Sequence, residues 1–244
     1  MLAIIGGTGL TRLVEIERTS QQRIVNTPYG KPSSSITLGI LHGSDVAFIA
    51  RHGEEHTIAP HQVNYRANIW ALKEIGVSGI VATAAVGSIN KKMPPGELVI
   101  PDQLIDYTWG RPSTFFETDL EAVRHIDFTN PYSVELRSKI VCAMEQANLP
   151  NLDKAVYGCT QGPRLETAAE IQRLKRDGCD LVGMTGMPEA ALARELGLEY
   201  ACCAVVVNWA AGLDKAEIKM EDIQRWSARG MEKMYRFMKF LSLD

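Results

Sequence analysis

The chain has 244 residues, of which 45% are hydrophobic and 23% charged, and a net charge of −3. That is length and apolar content for one well-cored domain. The mild acidity, with a pI of about 6.0, gives no electrostatic reason to expect nucleic acid or an anionic membrane as a partner. Any bound anion has to be held by a local site.

The first residues, Met1 to Gly7, are apolar and carry no basic segment. They read as a β-strand running into a glycine turn, not as a signal peptide. No apolar run reaches the roughly 18 residues a membrane span needs. The five cysteines (Cys142, Cys159, Cys179, Cys202 and Cys203) are odd in number and contain no C-x-x-C pair. That pattern argues against a disulfide framework or zinc site and fits a reducing cytoplasm.

Residues 2–5 read as a strand, followed by the turn Gly6-Gly7-Thr8-Gly9. Strands are expected at 22–28, 35–41 and 46–50, the last ending in Arg51-His52-Gly53. Apolar residues at helical spacing predict a helix from Asn64 to Ile75. Gly79–Thr83 reads as a strand that gives way to a small-residue turn, Ala84-Ala85-Val86-Gly87-Ser88. A strand starts at Leu98, and 106–130 is polar and irregular, a length of loop that is usually functional. Further on come a helix at 130–147, a strand at 155–159, a helix at 166–178 and a strand at 181–182. A helix at 188–196, an apolar strand at 200–207 and an amphipathic helix from Met220 or Glu221 complete the chain.

Strand and helix alternate without linker or repeat. This predicts a single α/β domain over 1–244, a mixed central sheet flanked by helices. Ligands of such sheets sit at the carboxyl ends of the strands. The residues there are Thr8, Arg51, His52, Ala84 to Ser88, Met184, Thr185 and Asn208. Glycine turns and small-residue loops offer backbone N–H groups, Thr8 and Thr185 offer hydroxyls, and Arg51 offers a guanidinium suited to two phosphate oxygens. Each alone has an ordinary structural explanation, a tight turn or a surface ion pair. Four donors on four strand ends together make an anion site. The turn at Gly6 is too short for a dinucleotide fingerprint, and no Walker lysine follows it.

Several segments carry a family resemblance. Ile4-Ile5-Gly6-Gly7-Thr8-Gly9-Leu10, Arg51-His52-Gly53, Asn64-Tyr65-Arg66-Ala67-Asn68, Gly96-Glu97-Leu98-Val99-Ile100-Pro101-Asp102 and Gly162-Pro163-Arg164 resemble methylthioadenosine phosphorylases. Val182-Gly183-Met184-Thr185 with Pro188-Glu189-Ala190 is similar to them and to trimeric purine nucleoside phosphorylases. The resemblance runs to about Lys219. It implies the nucleoside phosphorylase fold and a homotrimer with sites near subunit interfaces. Inorganic phosphate would be a co-substrate, with no other cofactor and no metal. It places Thr8, Arg51, His52, Ala84, Ala85 and Thr185 at phosphate, Met184 at ribose and base, and His125 at the sugar of a neighbouring subunit's site.

Three departures from the adenine-type pattern bear on the substrate. Where those enzymes resemble Asp-x-Asp, this chain has Asn208-Trp209-Ala210. An asparagine offers a donor and an acceptor, which suits a 6-oxopurine. Where they resemble Phe-Ser it has Leu165-Glu166, and a carboxylate accepts the N1–H that adenine lacks. The competing explanation for Glu166 is a favourable charge at a helix N-terminus. Met220 stands where general oxopurine phosphorylases have a histidine for the 5′-hydroxyl. A thioether suits a 5′-methylthio group, though methionine also often just fills cores. The resemblance is therefore to the branch acting on 5′-methylthioinosine. Methylthioadenosine, broad 6-oxopurine nucleosides and a non-catalytic sensor remain as alternatives.

Overall fold

The computed structural model describes residues 1–7, 21–41, 43–117, 122–214 and 217–241. Thr8 lies outside them. Among the described residues ten strands form one mixed sheet: β1 (Leu2–Gly6), β2 (Gln21–Arg23), β3 (Ile36–Leu41), β4 (Ser44–Ala50), β5 (Gly79–Ser88), β6 (Leu98–Val99), β7 (Gln103–Asp106), β8 (Val156–Cys159), β9 (Leu181–Gly183) and β10 (Glu199–Trp209). The helices are α1 (Tyr65–Glu74), α2 (Val134–Gln146), α3 (Ala168–Arg176), α4 (Glu189–Glu195) and α5 (Met220–Met238).

The strand order is β2-β3-β4-β1-β5-β9-β8-β7, with β10 lying along β5 and pairing β6. β1 is buried throughout, as a strand covered on both faces must be. Its side chains alternate between two cores. Ala3 and Ile5 join the layer under α1 and α4, with Ile69, Leu72 and Leu192. Leu2 and Ile4 join the layer under α2 and α5, with Ile140, Met234 and Phe237. A third, smaller cluster holds α3 through Ile171 and Leu174, with Val182 and Ala210. No helix of the described residues is long and apolar enough to cross a membrane.

Four boundaries differ from expectation. β2 covers only Gln21–Arg23. β7, paired in parallel with β8, falls just before the expected loop at 106–130, where no strand was expected. α2 starts at Val134, because the Ser133 side chain accepts from Leu136 N and caps it there. α3 starts at Ala168, because Thr167 and Glu170 form a capping box. Glu166 is thus outside the helix, and the acidic residue of its first turn is Glu170.

The Ala84–Ser88 turn is not a turn: β5 continues through Ser88. The strand is crowded at Gly87. A side chain at Gly87 would meet Val182, Asn208 and Ala210 at 3.2 to 3.4 Å. Along one edge β5 pairs with β10 for its whole length. On the other it pairs in parallel with β1 as far as Ala82, then in antiparallel with β9 from Gly87. Thr83–Val86 lie between the two ladders, without a ladder partner on that edge among the described residues.

Candidate active site

The gap between the two ladders is where the strand-end residues meet. The Arg51 N–H extends the parallel ladder by bonding Gly6 O at 3.0 Å. Arg51 is 2% exposed. Nη1 donates to Thr83 O at 2.7 Å, and Nε and Nη2 donate to the two carboxylate oxygens of Glu189, each at 2.7 Å. Glu189 is fully buried and also accepts the Tyr200 hydroxyl at 2.8 Å. Burial works against the Arg51 charge, and Glu189 more than offsets it, so its pKa rises above the ordinary value. One guanidinium edge is thus occupied by a carboxylate, and the Nη1–Nη2 edge is what Arg51 can turn to an anion.

Ala85 is the one exposed residue of β5. Backbone groups alternate sides along a strand, so its N–H points to the same edge as the Thr83 carbonyl. Ala84 is buried. Thr185 follows β9 and is buried, its N–H bonded to the Tyr157 hydroxyl at 3.3 Å. Gly183 and Gly186 let the Tyr157 side chain lie against this turn, since a Cβ at Gly183 would fall 2.9 Å from its ring and one at Gly186 2.5 Å.

Asn208 and Glu166 lie at the β9 end of the gap. Between Val206 and Asn208 the β10 register slips by one residue, a bulge that re-aims Asn208 toward Gly87. Asn208 Nδ2 donates to Trp209 O at 2.7 Å, which orients the amide and leaves one N–H and the oxygen for other partners. Glu166 Oε1 accepts the Thr160 hydroxyl at 2.6 Å. Thr160 in turn bonds Gly183 O through its N–H, at 2.8 Å. The turn after β10 closes on the same place, with Gly212 packed against Ala168.

A family model described as the phosphorylase superfamily matches residues 1–241. The chain belongs to the phosphorylase superfamily. It is 57% identical over 232 residues to a probable S-methyl-5′-thioinosine phosphorylase of Pseudomonas syringae pv. tomato, covering 95% of this chain and 94% of that one. It is 46% identical over 227 residues to a 6-oxopurine nucleoside phosphorylase of Pyrococcus furiosus, covering 91% and 84%. A methylthioadenosine phosphorylase crystal structure, sourced from an antarctic soil metagenomic library, superposes with a TM-score of 0.90 at 36% identity, covering 98% and 84%.

In this phosphorylase His52 is locked at the base of a short loop. Its Nδ1 lies 2.8 Å from Ile58 O, and Ile58 N donates to His52 O at 3.0 Å. A neutral ring donating through Nδ1 presents Nε2 as an acceptor. Burial, then the Arg51 charge, pushes its pKa down to about 4. Between pH 6.5 and 4 the unfolded chain therefore takes up a proton that the folded chain refuses. Stability is expected to fall as pH is lowered through that window, by about 2 kcal/mol after allowing for partial exposure. Urea unfolding at pH 7 and pH 4.5 checks this. An equal pH slope in His52→Gln would refute it.

Other expected site residues are placed less closely. Met184 is half-buried, its sulfur packed under Gly162. Trp209 is half-buried beside Asn208. Ala210 is 2% exposed and its methyl packs inward with Ile171 and Val182, so it does not line the gap. Leu165 is 48% exposed and Met220, at the start of α5, 66%. Met220 therefore does not fill the core of this chain. His125 is exposed on an irregular segment, and no hydrogen bond ties it to the cluster among the described residues. Two buried charged residues of this cluster went unread in the sequence: Glu189, hidden in a family motif at a helix start, and Arg111, in the segment after β7.

Proposed function

We propose that the chain cleaves 5′-methylthioinosine with inorganic phosphate, giving hypoxanthine and 5-methylthioribose 1-phosphate. The observation that carries the reading is that Asn208 and Glu166 are both anchored beside β9, Asn208 across Gly87 and Glu166 through Thr160. The free N–H of the Asn208 amide suits the 6-carbonyl, and its oxygen suits a protonated imidazole nitrogen. Thr160 holds one oxygen of Glu166, leaving the other for N1–H. Adenine would set a lone pair against that carboxylate, at a cost of several kcal/mol. Exposed Leu165 and Met220 supply apolar surface for base and 5′-methylthio group. The higher identity to relatives named for thioinosine and 6-oxopurine substrates, 57% and 46% against 36%, supports the same choice.

In this mechanism the glycosidic bond breaks ahead of attack. The purine gains negative charge, which Asn208 and Glu166 stabilise, and the sugar becomes oxocarbenium-like. Phosphate held by Thr8, Arg51, His52, Ala84, Ala85 and Thr185 adds to the anomeric carbon. Position and electrostatics supply the rate, with no covalent enzyme intermediate and no metal or cofactor. His125 would reach the sugar of a neighbouring protomer in a cytoplasmic homotrimer. Exposed Trp109, Val123 and Ile126 along the same segment support an interface there, and the free cysteines fit a reducing compartment.

Phosphate-dependent turnover of methylthioinosine, methylthioadenosine and inosine tests the proposal. Methylthioinosine is expected to have the highest kcat/KM. Equal or better turnover of methylthioadenosine overturns the base contacts, and faster turnover of inosine overturns the role of Met220.

A further inference from the structure

Arg111 is 8% exposed, and no carboxylate is among its hydrogen-bond partners in the described residues. Its guanidinium is held by dipoles instead. Nη1 donates to the carbonyls of Met184 and Met187 at 2.9 and 2.5 Å. Nη2 donates to the carbonyls of Thr160 and Gln161 at 3.3 and 2.9 Å, and Nε to Gln161 Oε1 at 3.2 Å. The Tyr65 hydroxyl accepts at 3.3 Å, and its ring centroid lies 5.5 Å from the guanidinium carbon.

Those carbonyls belong to two loops. The loop at 160–161 begins with Thr160, whose hydroxyl holds Glu166. The loop at 184–187 contains Thr185 between the Met184 and Met187 carbonyls. A lysine could satisfy only part of this set, because its three donors radiate from a point while the guanidinium fork spans both loops. A cation held between two loops without a counter-carboxylate is a costly arrangement if its only use is packing.

We propose that Arg111 is a positioning residue that keeps the base carboxylate and the phosphate hydroxyl in mutual register. The proposal rests on the roles given above to Glu166 and Thr185. Filling one subsite then steadies the loop that forms the other, through one side chain.

Arg111→Lys is the test, with kcat and both KM values measured on the folded variant. Melting temperature and circular dichroism establish that it is folded. We expect kcat to fall and the KM values for nucleoside and phosphate to rise together, with kcat/KM down about 10- to 100-fold. A folded Arg111→Lys with all three constants within about twofold of the parent, or with only one KM moved, overturns the proposal. Should the variant not fold, hydrogen exchange on the unaltered protein decides. Phosphate alone is expected to slow exchange at 160–166, and the released base alone to slow it at 184–187. Protection confined to each ligand's own loop overturns it. The kinetic arm uses whichever nucleoside the enzyme turns over best and the exchange arm the base it releases, so an adenine preference would refute the base assignment while leaving the Arg111 test intact.

Discussion

Glu189→Ala is expected to destabilise the fold by about 3–5 kcal/mol, the usual cost of leaving one member of a buried ion pair without the other. Arg51 and Glu189 are both nearly or fully buried and joined by two bonds of 2.7 Å. Removing the carboxylate leaves the guanidinium with the Thr83 carbonyl alone, and strands the Tyr200 hydroxyl as well. Glu189→Gln keeps the shape and should cost less. The double variant Arg51→Met, Glu189→Leu should recover most of the lost stability, since apolar replacements of a buried pair are often neutral, and it should lose phosphorolysis. Urea unfolding followed by fluorescence gives the free energies. A loss below about 1 kcal/mol in Glu189→Ala would mean that water or a shifted side chain neutralises Arg51.

Asn208→Ala is expected to lower kcat/KM for methylthioinosine by about 100- to 1000-fold, the typical cost of deleting one donor aimed at developing charge. The side chain is half-buried at the end of a strand, so the fold should survive. Asn208→Asp is the sharper test. It replaces the donor to a 6-carbonyl with an acceptor suited to an amino group, and should narrow the preference over methylthioadenosine. The adenine-type pattern has a second aspartate where this chain has Ala210. Ala210 is 2% exposed within an apolar cluster, so a carboxylate there would be buried without a partner and destabilising. The single substitution is therefore the one to compare. Steady-state kinetics on both nucleosides reads the result, and an unchanged ratio would falsify the role assigned to Asn208.

Much of this site was legible because strand ends are legible. Apolar runs such as Leu2–Ile5 and Tyr200–Val207 announce buried strands, and the residues after them converge whatever the loops do. Less visible was how far β5 runs. Ala84 to Ser88 have the composition of a turn, yet the strand runs through them, and at Gly87 Val182 and Asn208 leave no room for a side chain. β7 was hidden because Gln103–Asp106 is only partly buried and shows no alternation. Glu166 stood one residue before a cap that only the Thr167–Glu170 pairing defines. Glu189 and Arg111 depend on partners far away in sequence. Arg51 is 138 residues from Glu189, and the carbonyls around Arg111 carry no side-chain signal at all. A backbone acceptor looks the same at every position.

The meeting of two ladders on one edge of β5 has an evolutionary consequence. The Arg51 cluster hangs from the β1–β4 side, while Glu166 and Asn208 hang from β8, β9 and β10. β5 and β10 run through both groups, β10 carrying Tyr200 near its start and Asn208 near its end. Substitutions on the second side can drift from one purine to another without disturbing the ion pair on the first. On this view a single ancestral frame can be retuned for base identity by a handful of changes. It explains how a relative at 36% identity keeps the same frame, with a TM-score of 0.90, while being named for a different nucleoside.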